Sequence, residues 1–142
     1  MKKLTFAIAL MLITLGANAQ NCTITNNTGC TVQYCLFAAA TGSCTPTYTT
    51  CGPLGPLTVG AFSSVTLTPA YFSVATINWL HFDFMQNIGS CTGAPPTVNV
   101  GDICGGDPAT NSATVGCGPC AGTTINLTWA KTGAGVVTIT LN

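Results

Sequence analysis

Apolar and polar positions alternate with a period of two along much of this chain, and no window carries the capped three-to-four-residue stripe of a helix. Successive side chains of a strand point to opposite faces, so this alternation predicts strands with one face in a core. Cys22-Thr23-Ile24-Thr25-Asn26 alternates, Asn27-Thr28-Gly29 reads as a turn, and Thr31 to Leu36 alternates again, which predicts a first hairpin. Ser64 to Thr68 predicts a short strand stopped by Pro69. The longest candidate runs from Ser73 to Gln86, with Leu80, Phe82 and Phe84 on one face and Trp79, His81, Asp83 and Met85 on the other. The first of these faces is assigned to the core. Thr124 to Trp129 alternates strictly, residues 131–135 can turn, and Val137 to Leu141 returns, a second hairpin that adds Ile125, Leu127 and Trp129 to the expected core. Six or seven short strands between Gly-, Pro- and Thr-rich loops predict an all-β fold: a small antiparallel β-sandwich or open barrel with long disulfide-stapled loops.

The chain opens with Lys2 and Lys3, an apolar run from Leu4 to Leu15, and the small-x-small pattern Ala17-Asn18-Ala19. These are the parts of a signal peptide over residues 1–19, which leaves residues 20–142 as one all-β domain, secreted or at the cell surface, with a periplasmic location also compatible. No lipobox precedes Cys22, and no later stretch is apolar for the ~18 residues a membrane span needs.

Nine cysteines in an exported domain predict a disulfide framework drawn from Cys22, Cys30, Cys35, Cys44, Cys51, Cys91, Cys104, Cys117 and Cys120. They fall largely in two long loop regions, residues 38–57 and 87–122, where staples would supply order. An odd number leaves one over. Cys22 is the candidate, placed at a frayed chain end from which it could bridge to a second molecule; the alternative pairs Cys22 within the first hairpin and frees a loop cysteine such as Cys44. The spacing of Cys91-Thr-Gly-Ala-Pro recurs as Cys104-Gly-Gly-Asp-Pro, too few copies for a solenoid.

Charge removes several function classes. Residues 20–142 keep only Lys131, Asp83, Asp102 and Asp107, with His81 the single histidine and no Arg or Glu. One lysine cannot displace the counterions of a phosphate backbone, so nucleic acid is not an expected partner. Strand edges without Lys or Glu lack the usual barrier to edge pairing, which favours self-association.

Candidate chemistry is sparse. Cys117-Gly118-Pro119-Cys120 matches the C-x-x-C of thioredoxin-like oxidoreductases, but a strand sequence follows Cys120 where that chemistry needs a helix N-terminus, so both cysteines are expected to be structural. No second C-x-x-C completes a zinc site. Trp79, His81 and Asp83, two apart on one strand face, form the candidate ligand-binding patch, able to stack a sugar or hold a metal; an ordinary solvent face is the competing reading. Asp102 and Asp107 bracket "GDICGGDPAT" without the spacing of a calcium loop. No carboxylate pair or nucleophile motif marks a hydrolase, so neither catalysis nor a cofactor or metal is expected.

The order of "TITNNTGCTVQYCLFAA", "GPLTVGAFSSVTLTP" and "GDICGG" resembles thaumatin-like β-sandwich proteins, a resemblance that implies a sandwich and a glycan-directed role. The basic residue and acidic cluster of that family's cleft have no counterpart here. The leading expectation is an exported, non-catalytic structural or adhesive surface protein that assembles with itself through strand edges. The alternatives are a glycan-binding module and an ice-binding protein in which Thr124, Asn126 and Thr128 share a face with Thr138 and Thr140.

Overall fold

The computed structural model describes residues 20–52, 55–85, 98–133 and 135–142; residues 1–19, expected to be a signal peptide, Cys91 and the first copy of the short repeat lie outside the described residues. The strands are β1 (Cys22–Asn26), β2 (Val32–Ala39), β3 (Tyr48–Thr49), β4 (Leu57–Val59), β5 (Ser63–Leu67), β6 (Asn78–Met85), β7 (Val98–Gly101), β8 (Thr110–Thr114), β9 (Thr124–Lys131) and β10 (Val137–Leu141). They form two sheets. Sheet A has the order β5-β1-β10-β9-β8; sheet B has the order β3-β2-β6-β7, with β4 also paired to β2. Pairing is antiparallel except between β1 and β10. The fold is therefore the expected disulfide-stapled β-sandwich.

Alternation puts Ile24, Ile125, Leu127, Trp129, Val137, Ile139 and Leu141 of sheet A against Val32, Tyr34, Leu36, Phe82, Phe84 and Val100 of sheet B in one core. Each large side chain withdrawn from water contributes about 1.5–3 kcal/mol before the entropy of ordering it is counted. The β9–β10 hairpin forms as expected. The first hairpin does not: β1 pairs with β10 and β5, whereas β2 belongs to the other sheet. The turn between them is a corner that crosses the sandwich. Asn26, fully buried, fastens it by donating Nδ2 to the carbonyls of Cys30 (2.7 Å) and Gly60 (2.9 Å), while its Oδ1 accepts from the Thr28 amide (3.0 Å) and hydroxyl (2.7 Å). All four hydrogen-bonding positions of that amide are used.

The long candidate strand is shorter than expected, because Ser73 takes a left-handed conformation (φ 59°) and ends a 3-10 turn over Pro69–Phe72. A β-bulge then interrupts β6. Its register with β2 passes from Phe37↔His81 to Ala38↔Trp79, so Leu80 has no opposite residue. An extra residue on one strand shifts every side chain beyond it by one face. Trp79 consequently enters the core with Phe82 and Phe84, while Leu80 is buried outside that cluster.

Three disulfides are described: Cys30–Cys120, Cys35–Cys51 and Cys44–Cys104, and Cys117 is also disulfide-bonded. They are bonds of an oxidising environment. Cys22 is the free cysteine among the described residues, but it is not at a frayed end and does not join the disulfide framework. It is wholly buried in β1, because the segment before it is tied down: Gln20 accepts from Trp79 Nε1 and, through Oε1, from the Ile77 amide (2.8 Å), and the Asn21 carbonyl accepts from Val137 (2.9 Å). A thiol in that position cannot reach a second molecule. No helix among the described residues is long and apolar enough to cross a membrane.

Candidate functional site

The bulge takes apart the patch expected from the sequence. Trp79 is fully buried on the core side, and only His81 and Asp83 stay on the outer face of sheet B. There His81 stacks on Phe37 with ring centroids 4.3 Å apart. Its Nδ1 lies 3.4 Å from Asp107 and its Nε2 3.9 Å from Asp83. Asp107 in turn accepts from Asn99 Nδ2. Burial lifts the Asp83 carboxyl above its ordinary value; His81 pulls it down by less than burial and the neighbouring Asp107 carboxylate together push it up. Loops close over this face. Asp102 donates its amide to the Leu80 carbonyl (2.7 Å), and a Cβ on Gly101 would stand 2.6 Å from that oxygen and 2.7 Å from His81 Cβ. Beside them Cys35 Sγ lies 3.1 Å from Met85 Sδ and carries the disulfide to Cys51. The half-buried His81 and its carboxylates therefore work as an internal polar network under the loops.

The two aspartates of the Gly-rich loop go separate ways. Asp107 meets His81, while Asp102 accepts from the Cys104 amide (2.9 Å) and pairs with Lys131, which also donates to Asn78 Oδ1 (2.6 Å). Burial acts to raise the Asp102 carboxyl, but the Cys104 amide and the Lys131 ammonium together outweigh it and hold the group below its ordinary value. The described residues hold no group of three His, Cys or Asp side chains arranged to take a metal ion. In Cys117-Gly118-Pro119-Cys120 the two cysteines do not bond to each other, since Cys120 is joined to Cys30 across the sandwich. A cleft of about 260 Å³ opens beside that disulfide, lined by Val32, Phe84, Met85 and Ile125. It is smaller than the roughly 300–1,000 Å³ of ordinary ligand pockets.

The outer face of sheet A has the opposite character. Strand register lines up Ser64, Thr25, Thr140, Thr128 and Thr110 in one row that crosses all five strands. A second row runs Thr66, Thr23, Thr138 and Ala130, and a third joins Asn126 to Ser112 beside Thr124 and Thr114. Thr23 and Thr66 hydroxyls touch at 3.1 Å, Ser64 donates to Thr25 at 3.2 Å, and Thr114 meets Thr124 at 3.2 Å. Sheet geometry spaces residues within a row by about 4.8 Å and successive rows by about 7 Å. Among the described residues no charged side chain stands on this face; Lys131, at one end of β9, turns to Asp102 and Asn78 instead. The five residues expected to share a face do so. Thr23, Thr25, Ser64, Thr66, Thr110 and Ser112 extend it, and the alternation of Thr in β1 was the available signal for two of them.

At the corner of this face stands Phe62, exposed to 77 % and held at φ 49°. A bulky residue in the left-handed region is an outlier that costs on the order of 1 kcal/mol and persists only where its surroundings hold it. Here the Phe62 amide donates to the Thr28 carbonyl (3.1 Å), and Gly60 is held by Asn26 and by Ser63 Oγ (2.7 Å). The ring rests over Gly29, where a Cβ would lie 3.7 Å away. Beside it is a groove of about 150 Å³ lined by Thr25, Asn26, Asn27, Ser63 and Ser64. Nothing in the local sequence marks Phe62 as exposed. The sandwich agrees with what the thaumatin-like resemblance implied, but comparison with protein-family models, curated proteins and solved structures finds no match for this chain.

Proposed function

We propose that residues 20–142 form an exported, non-catalytic adhesive protein that holds to uncharged, hydrogen-bonding surfaces through the outer face of sheet A. The observation that carries this reading is the row Ser64–Thr25–Thr140–Thr128–Thr110, hydroxyl-bearing across five strands without a charge. Threonine is a good strand residue in its own right, so a few outward threonines need no function. A complete row, flanked by a second that carries threonine on three strands and ends at Ala130, goes beyond that preference. Adsorption to microcrystalline cellulose, used as an uncharged hydroxylated solid, is expected to be insensitive to salt, since no ion pair is formed. Placing two charges on the face, Thr128→Lys with Thr138→Lys, should abolish it. Adsorption that survives this double substitution, or that salt disperses, overturns the reading.

The same rows support ice as a second surface, because ordered water also presents regularly spaced hydrogen-bonding groups; thermal hysteresis equal to buffer would remove that reading. Self-association is supported by the uncharged outer edges of β5 and β8. Sedimentation of a single monomeric species at high concentration would remove it.

A further inference from the structure

We infer that Phe62 and the groove beside it form a subsite for one pyranose unit of a neutral polysaccharide whose chain continues over sheet A. This rests on the adhesive reading of that face and names its ligand class. A strained backbone holds an aromatic ring out in solvent, with one flank supported on Gly29 and the other surface open. Around the ring the groove offers hydroxyls of Thr25, Ser63 and Ser64 and the side chain of Asn27, whose Nδ2 is already given to Asn142 Oδ1 (2.8 Å), leaving an acceptor oxygen.

One apolar ring beside several neutral polar groups selects the ligand. A lipid or apolar peptide would leave the hydroxyls unpartnered, and a polar peptide would leave the ring unused. A pyranose presents both a C–H face to stack on the ring and hydroxyls at its rim. Acidic sugars and nucleotides are disfavoured because no cation lies in the groove. The volume of about 150 Å³ is well below that of a pocket for a drug-sized ligand, so it suits one unit of a chain. Thr25 and Ser64 belong both to this groove and to the five-strand row, which gives the neighbouring units a path over Thr140 and Thr128.

The test is a solution titration of the disulfide-intact mature protein with soluble neutral hexasaccharides of glucose, mannose and xylose, followed by NMR. With at least one sugar, C–H resonances are expected to shift upfield from the ring current of Phe62. Phe62→Asn, which tolerates the left-handed conformation, should weaken that binding about tenfold or more while melting no lower than the parent. Phe62→Trp should retain it. The double substitution Thr128→Lys with Thr138→Lys lies outside the groove but on the path of the neighbouring units, so it should weaken hexasaccharide binding while leaving the upfield shift at the Phe62 subsite in the saturated complex. Binding unchanged by Phe62→Asn, or no shift with any hexasaccharide at millimolar concentration, overturns the subsite. A parent protein that shows the upfield shift but does not adsorb to cellulose would instead overturn the adhesive reading and leave the subsite standing.

Discussion

The two outer faces of the sandwich differ in nearly every respect. Sheet B carries the histidine, two aspartates, an aromatic stack and a disulfide, and keeps them half-buried beneath loops. Sheet A carries hydroxyls and amides in rows, open to solvent. Groups that look reactive in a list of residues are thus the ones satisfied internally, and the plain ones are left facing outward. Chemical potential of a residue type and availability of that residue are separate properties, and here they divide between two faces.

The largest expected effect comes from breaking the corner that joins the two sheets. Asn26→Ala would remove the donor to the buried Cys30 carbonyl and the acceptor of the Thr28 amide, while the Gly60 carbonyl keeps the Ser63 hydroxyl, at a cost of about 2–4 kcal/mol in guanidinium unfolding. A loss below 1 kcal/mol would mean that the corner is held by other contacts. Next is the close packing over sheet B. Gly101→Ala would press a methyl against the Leu80 carbonyl and His81, and should cost about 1–3 kcal/mol. An undisturbed unfolding midpoint would show that the loops over this face can yield.

Smaller effects should appear as opposite dependences on pH. Asp83 titrates in the folded protein above its unfolded value of 3.8, so the native state binds the extra proton; its contribution to stability is present below that value and is lost as pH rises through the folded pKa. Asp102 is displaced downward, so its contribution is present above 3.8 and is lost as pH falls through its folded pKa. Asp83→Asn should therefore flatten a decline on the way to neutrality, and Asp102→Asn should flatten a loss in acid, each by up to about 1 kcal/mol. Unfolding curves from acid to neutral pH separate the two, and equal slopes in both variants would contradict the assignment. Smallest of all, Thr128→Ala and Thr140→Ala should change stability by no more than about 0.5 kcal/mol, since both side chains are on the outer face of sheet A, away from the core. A larger loss would give the rows of sheet A a structural duty.

Much of sheet A was legible before any coordinates. The alternation of Thr124 to Trp129 and Val137 to Leu141 states both the strands and their buried faces, because one side of each lies against a core. Partner choice was not legible. The same alternation in β1 and β2 is compatible with a hairpin or with a crossing between sheets, and the decision rests on Asn26, whose contacts reach Gly60, 34 residues away. The bulge at Leu80 inverted the assignment of Trp79 because period-two reasoning carries no allowance for an inserted residue. In β8, "TNSAT" offers one apolar residue and reads as loop; its pairing with β9 is what makes it a strand. The hydroxyl rows emerge only after five segments distant in sequence are set side by side, and the exposure of Phe62 depends on a backbone angle that composition does not encode.

Cys22 gives the molecule a built-in clock. Its strand lies between β5 and β10, its side chain is entirely covered, and burial pushes its thiol up so that the reactive thiolate is scarce. An alkylating reagent can reach it only when the centre of sheet A opens, so the labelling rate in native buffer counts those openings and measures how rarely they occur. The same concealment protects the disulfide framework. Covered in the closed sheet, the Cys22 thiol is beyond reach of the finished disulfides and cannot exchange with them.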